Sequence, residues 1–162
     1  MHRQWIVDAS PVILLAKADH IDLLPACCDQ LGIPEAVADE IMRADDIDPA
    51  RQWVEEEGRS FICETGRLEP AVAAWDLGRG ESHVLSWGAK NPRWTVVVDD
   101  GMARRCAEGL SIPVIGTLGV LLVAKQDGIL REVRSPLASL IRAGLYVDEA
   151  LVRRVLHLAN ES

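Results

Sequence analysis

The run Thr95-Val96-Val97-Val98, closed by Asp99-Asp100, constrains the fold of this chain more than any other segment. Consecutive β-branched residues with no polar alternation read as a strand covered on both faces, and such strands belong to parallel sheets flanked by helices. Carboxylates placed straight after it stand at the carboxyl end of the strand, where open α/β sheets put their ligands. Further apolar stretches end on an acid in the same way: Trp5-Ile6-Val7-Asp8, the helical segment from Pro34 to Ile41 carrying Glu40, and Gly78-Arg79-Gly80-Glu81. Carboxylates gathered at one place repel one another unless a divalent cation stands between them. A hydrolytic metal site is the expectation that follows.

Along the chain, short apolar strands alternate with helical segments, the pattern of an α/β fold around a parallel sheet. Strands are expected at Trp5 to Val7, Gly32 to Pro34, Ser60 to Cys63, Thr95 to Val98 and Ile112 to Ile115. Ser10-Pro11 reads as the start of a helix, with Ser10 as N-cap and Pro11 at the first helical position. Further helices are expected around 21–28, 35–43, 49–57, 68–75, 80–90, 102–109 and 118–126. The tail forms two amphipathic helices, 135–141 and 148–160, joined at Gly144, whose apolar faces require either the domain's own surface or a second subunit. A chain of 162 residues with no linker or repeat is expected to be one domain spanning 1–162.

Composition narrows the setting. With 49% hydrophobic and 26% charged residues the chain is globular rather than disordered, and no apolar run reaches the length of a membrane span. The amino-terminal residues lack the apolar core of a secretory signal, so a cytoplasmic location is expected. Cys27, Cys28, Cys63 and Cys106 form no CxxC pair and read as small buried residues. The net charge of −8 weighs against a general nucleic-acid binder, although acids clustered at a site contribute to it and a local basic patch still binds phosphate.

Each acid has a structural reading beside the chemical one. Asp8 is able to cap the following helix, but Ser10 suits that cap and leaves Asp8 facing outward. Glu40 flanks the face that carries Val37 and Ile41, whereas Asp39 beside it reads as a solvated surface acid. Glu81 lies in the first turn of a helix, where a carboxylate favours the helix dipole. Its neighbour Arg79 is a candidate phosphate ligand. Asp99 and Asp100 either cap the next helix or bind a cation, and having both makes one of them a metal ligand. Arg104, one turn on, is able to pair with the acids or with phosphate. The histidines His2, His20, His83 and His157 show no ligand spacing, and no serine or cysteine sits in a nucleophile motif. A haloacid-type phosphatase needs Asp-x-Asp where this chain has Asp8-Ala9-Ser10, and a receiver needs a lysine in a place that Lys125 does not occupy.

Asp8-Ala9-Ser10-Pro11-Val12-Ile13, followed by Ile33-Pro34-Glu35-Ala36-Val37-Ala38-Asp39-Glu40-Ile41, resembles the first half of PIN domains. Leu77 to Glu81 is similar to the motif that supplies their third acid. Val98-Asp99-Asp100 with Ala103-Arg104 is similar to the one that supplies the fourth, and Ile112 to Gly119 resembles the closing strand and helix. The likeness runs from about residue 4 to the end of the chain and is akin to VapC-type toxins of toxin–antitoxin pairs. It implies a three-layer α/β/α fold with a mostly parallel sheet and an Mg²⁺- or Mn²⁺-dependent ribonuclease. By position the metal and catalytic set is Asp8, Glu40, Glu81, Asp99 and Asp100, with Ser10, Arg79, Arg104 and Thr117 near the substrate. An RNA substrate, a cognate antitoxin and a homodimer are the partners it implies. The chain departs from the family in carrying Glu81 where Asp is usual, and Val98-Asp99-Asp100 where Thr-x-Asp is usual; by the count back from Ile112-Pro113-Val114 the resemblance fits Asp100 to the acid and Asp99 to the residue before it, without separating the two. A catalytically silent module that binds an antitoxin is the alternative those departures leave open.

Overall fold

The structure, a computed structural model, describes residues 2–161. The sheet is built from β1 (Gln4–Val7), β2 (Gln30–Pro34), β3 (Ile62–Cys63), β4 (Trp94–Val97) and β5 (Val114–Ile115). The helices are α1 (Ala9–Lys17), α2 (Leu23–Cys27), α3 (Glu35–Ile41), α4 (Pro49–Glu55), α5 (Pro70–Ala73), α6 (Arg79–Lys90), α7 (Gly101–Gly109), α8 (Thr117–Gln126), α9 (Arg134–Ala143) and α10 (Glu149–Leu158). The strand order is β3-β2-β1-β4-β5 and every pairing is parallel. This is the α/β architecture that the all-apolar strands predict.

That order places a reversal of direction at the middle of the sheet. From β1 the chain moves to β2 and β3 on one side, then crosses back to β4 and steps outward to β5. The crevice at the carboxyl ends of β1 and β4 is therefore the topological switch point, where ligands of open α/β sheets bind. Val7 pairs with Val97 at the end of the shared ladder, and the Asp8 N–H extends it with a 3.1 Å bond to the Val97 carbonyl.

Right-handed crossovers put α6 and α7 on one face of the sheet and α1, α2, α4 and α8 on the other. α6 lies directly on β4 because Gly88 carries no side chain. A Cβ there would stand 2.7 Å from both Val96 Cγ1 and Ile112 Cγ2. The core between the layers holds Ile6, Val7, Leu15, Ile33, Leu85, Val96, Val97 and Leu121, none of them more than 2% exposed. Among the described residues no helix is long and apolar enough to cross a membrane.

The C-terminal helices bury part of their apolar faces on their own chain. Leu137 and Leu140 of α9, and Val155 and Leu156 of α10, are buried against α1 and α8 or beside them. Gly144, at φ 119°, ends α9 in the left-handed conformation that glycine adopts without a Cβ penalty. Glu161 then clamps the tail: its carboxylate accepts from Lys125 Nζ at 2.9 Å, from the Val133 N–H at 2.7 Å and from the Arg134 N–H at 3.0 Å. Near the same end of α8, Arg3 Nη1 donates to the Cys27 carbonyl and to Asp127, both at 2.6 Å.

Some local expectations change. Asp8, not Ser10, holds the N-cap position of α1, so Ser10 and Pro11 both fall inside the first turn. Pro11 is tolerated there because the first N–H groups of a helix have no intrahelical acceptor. The helix expected over 68–75 forms only between Pro70 and Ala73, since Pro70 sets its start. The one expected through 57 ends at Glu55 and tightens into a 3₁₀ turn at Glu57–Phe61. All cysteines are free; Cys27 and Cys106 are buried while Cys28 and Cys63 are half-buried.

Ile6→Ala empties volume at the centre of the sheet and is expected to lower unfolding free energy by about 2–5 kcal/mol. Urea denaturation measures it; a loss below about 1 kcal/mol would mean that Ile6 is not packed as described.

Candidate metal centre

Asp8 is the innermost acid. It follows β1 at the switch point and is 3% exposed, yet among the described residues it forms no ion pair and no capping hydrogen bond to α1. Its backbone is extended (φ −83°, ψ 169°). Gly80 of α6 closes over it from the other side, and a Cβ on Gly80 would lie 3.2 Å from Asp8 Oδ1 and 3.3 Å from Val37 Cγ2.

Asp99 follows β4, the neighbouring strand, and both of its oxygens are held by Thr117. The Thr117 N–H donates to Oδ1 at 2.7 Å and its hydroxyl to Oδ2 at 2.6 Å. Thr117 is 0% exposed, so its hydroxyl is committed to this acid rather than open to substrate. Asp100 caps α7, accepting from the Ala103 N–H at 3.0 Å. The two adjacent acids thus divide the work that the sequence left unassigned: one is turned into the crevice and braced, the other is a helix cap on its rim. Arg104 Nη1 donates to the Val98 carbonyl at 3.2 Å and stands beside Asp99.

Glu81 is in the first turn of α6, with Gly78 at the N-cap position. Its carboxylate is folded back over Gly78, so that a Cβ on that glycine would lie 2.5 Å from Oε2. Glu40, in α3, is exposed, and its charge acts on Asp8 and Glu81. Arg79 points away: it pairs with Asp39 at 3.3 Å on the surface, both side chains 60% exposed. Asp8, Ser10, Glu81, Asp99, Asp100 and Arg104 share the wall of one cavity of about 890 Å³. Glu40, Arg79 and Thr117 do not line it.

The electrostatics follow from burial and crowding. Removal from water pushes the Asp8 carboxyl up to about 7; the Ala9 N–H draws it down, while the charges of Glu81, Glu40 and Asp99 push it further up. Burial also raises Glu81; the Gly78 N–H opposes this, and Asp100 and Glu40 add to it. Five acids from four segments of the chain therefore influence one another. Among the described residues no three acidic, His or Cys groups stand close enough to share an ion as they are. Local contacts hold two of them: Glu81 is folded back over Gly78, and Asp100 accepts from the Ala103 N–H.

The donor set still fits a hard divalent cation. It is all oxygen, suited to Mg²⁺ or Mn²⁺ rather than to zinc. At its centre lies a buried carboxylate with no counter-charge. Mg²⁺ keeps several waters, so it takes one or two carboxylates directly and reaches others through water.

The cavity continues past the acids as an apolar groove that the motifs did not anticipate. Leu118 and Leu122 of α8 and Leu151 of α10 line it, with Tyr146, 93% exposed, and Arg154 at its far end. The unpartnered faces of the amphipathic tail were the sequence signal for this wall.

Asp8 makes the metal-free protein sensitive to pH. Its folded pKa lies above that of an unfolded aspartate, so the folded state binds the extra proton. Its contribution is full below about pH 4 and is lost as pH rises to about 7. Metal-free protein is expected to lose up to about 1.4 kcal/mol per pH unit in that window through this group. Asp8→Asn is expected to flatten the slope and to be the more stable protein at pH 8 by urea denaturation. An Asp8→Asn protein less stable than the parent at pH 8 would show the carboxylate to be favourably paired instead.

No curated protein matches the chain. The family described as DUF3368: PIN domain matches residues 4–161. With the match covering nearly the whole length and the acids gathered at the switch point of a parallel sheet, the chain belongs to the PIN domain family.

Proposed function

We propose that this protein is a metal-dependent ribonuclease, an Mg²⁺- or Mn²⁺-requiring endonuclease acting as the toxin of a toxin–antitoxin pair in the cytoplasm. The observation that carries the reading is Asp8, a buried carboxylate with no basic partner among the described residues, whose surrounding charges are those of Glu81, Glu40 and Asp99. The PIN family membership supports nuclease chemistry in general, and the acidic crevice supports the metal.

Asp8 and Asp99 are the residues that would hold the ion directly, with Glu81 and Glu40 joining through their own oxygens or through water. When bound, the ion polarises the scissile phosphate and lowers the pKa of a coordinated water. Asp8 would hold the ion as a carboxylate and would then release the proton that burial favours on it. Glu81 Oε2, in a carboxyl held above its ordinary range, is suited to take a proton from the attacking water. Arg104, steadied on the Val98 carbonyl, and Ser10, exposed on the cavity wall, are suited to receive phosphate oxygens. Thr117 acts through Asp99, which it fixes in place.

A second reading is a module without turnover that works by binding an antitoxin, either alone or as a homodimer. The apolar groove beside the acids favours it, because Leu118, Leu122, Leu151 and the exposed Tyr146 suit a protein surface better than a phosphate backbone.

Cleavage of a generic fluorescent RNA separates the two. Activity with Mn²⁺ or Mg²⁺, abolished by a chelator and reduced to background by Asp8→Asn in a protein of unchanged circular dichroism, is the expected result. Undiminished cleavage by Asp8→Asn would remove the catalytic scheme, and an inert parent protein that binds its antitoxin would favour the second reading.

A further inference from the structure

Two acids of the crevice, Asp8 and Asp99, are closely approached by bare backbone. Gly80 faces Asp8, where a Cβ would stand 3.2 Å from Oδ1 and 3.3 Å from Val37 Cγ2. Gly116 faces Asp99, where a Cβ would stand 2.9 Å from Oδ1, 2.9 Å from Arg104 Nη1 and 3.5 Å from the Val98 carbonyl. Such separations are closer than side chains ordinarily tolerate, so a methyl group at either place forces its neighbours to move.

Neither glycine is needed for its backbone. Gly80 lies inside α6, and Gly116 is the extended N-cap residue of α8 at φ −103° and ψ −174°. Any residue adopts these conformations. Within a helix, alanine is moreover favoured over glycine by intrinsic propensity. Backbone freedom therefore gives no reason for glycine at either position, whereas the space occupied by the carboxylates does.

Asp99 Oδ1 is already bonded to the Thr117 N–H at 2.7 Å, and a methyl at Gly116 would occupy the side from which it is braced. Asp8 is buried beside Gly80, with its backbone N–H bonded to the Val97 carbonyl at the end of β4.

We infer that Gly80 and Gly116 are positioning residues for the metal-binding carboxylates, each leaving free the space that Asp8 or Asp99 occupies at the crevice. They do not touch the substrate or the ion. They act by what they leave empty, as outer residues that orient ligands do by hydrogen bonding. The inference rests on the metal reading above and specifies which backbone positions set its geometry.

Gly80→Ala and Gly116→Ala test it through two measurements on the full chain. Mn²⁺ titration by calorimetry is expected to show affinity lowered about 10- to 100-fold in each variant, the range seen when ligand-orienting residues are lost. The metal-free crystal structure of Gly80→Ala is expected to show the Asp8 carboxylate turned or displaced, with the thermal midpoint no lower than the parent's. A purely structural glycine would give the reverse, a lowered midpoint with Mn²⁺ affinity unchanged. Parent protein that binds Mn²⁺ while both variants bind it within twofold overturns the inference and leaves the metal reading standing. An unmoved Asp8 in the Gly80→Ala crystal overturns it as well. Parent protein that takes up no Mn²⁺ overturns the metal reading, and this inference with it.

Discussion

A buried carboxylate without a counter-charge is an expensive thing for a protein to keep, and this molecule is arranged around one. Asp8 is almost wholly removed from water, and the charges nearest to it are those of other acids. Replacing it with an amide would relieve that repulsion at no cost in shape. A destabilising group at the focus of several elements is the mark of a functional site, where stability is given up for chemistry.

The arrangement depends on the sheet order. β1 and β4 are far apart in sequence but adjacent in the sheet, and the connections leaving them run in opposite directions. Asp8 and Asp99 therefore end neighbouring strands, while α6 enters from the layer above and brings Glu81 and Gly80 with it. Gly88 permits that helix to lie on β4, and the close approach carries its first turn to the crevice. Packing in the middle of α6 and acid placement at its start are thus one feature. Thr117 contributes from the last strand–helix junction, so each parallel connection on this side of the sheet supplies a part of the site.

Much of this was legible from residue order. An uninterrupted valine strand announces a parallel sheet, and the acids that close such runs announce its carboxyl edge. The sequence left Asp99 and Asp100 undivided because the distinction rests on Thr117, a long-range partner, and on the Ala103 N–H, a local one. Ser10 suits the helix cap by its hydroxyl and the following proline, but Asp8, straight after β1, takes the N-cap position and α1 starts at Ala9. Arg79 looked available for phosphate until α3 set Asp39 against it. The groove beyond the acids was hidden for a different reason: amphipathic helices declare an apolar face but not what the face encloses.

The centre is tested most directly by anomalous scattering from a crystal soaked in Mn²⁺ at pH 8, where Asp8 is ionised. A peak within coordination distance of Asp8 and Asp99, with Glu81 swung off Gly78 toward it, is the outcome expected here. A crystal with manganese only at surface acids such as Asp45 or Glu149, and the crevice carboxylates unmoved, would show that these residues do not form a metal centre.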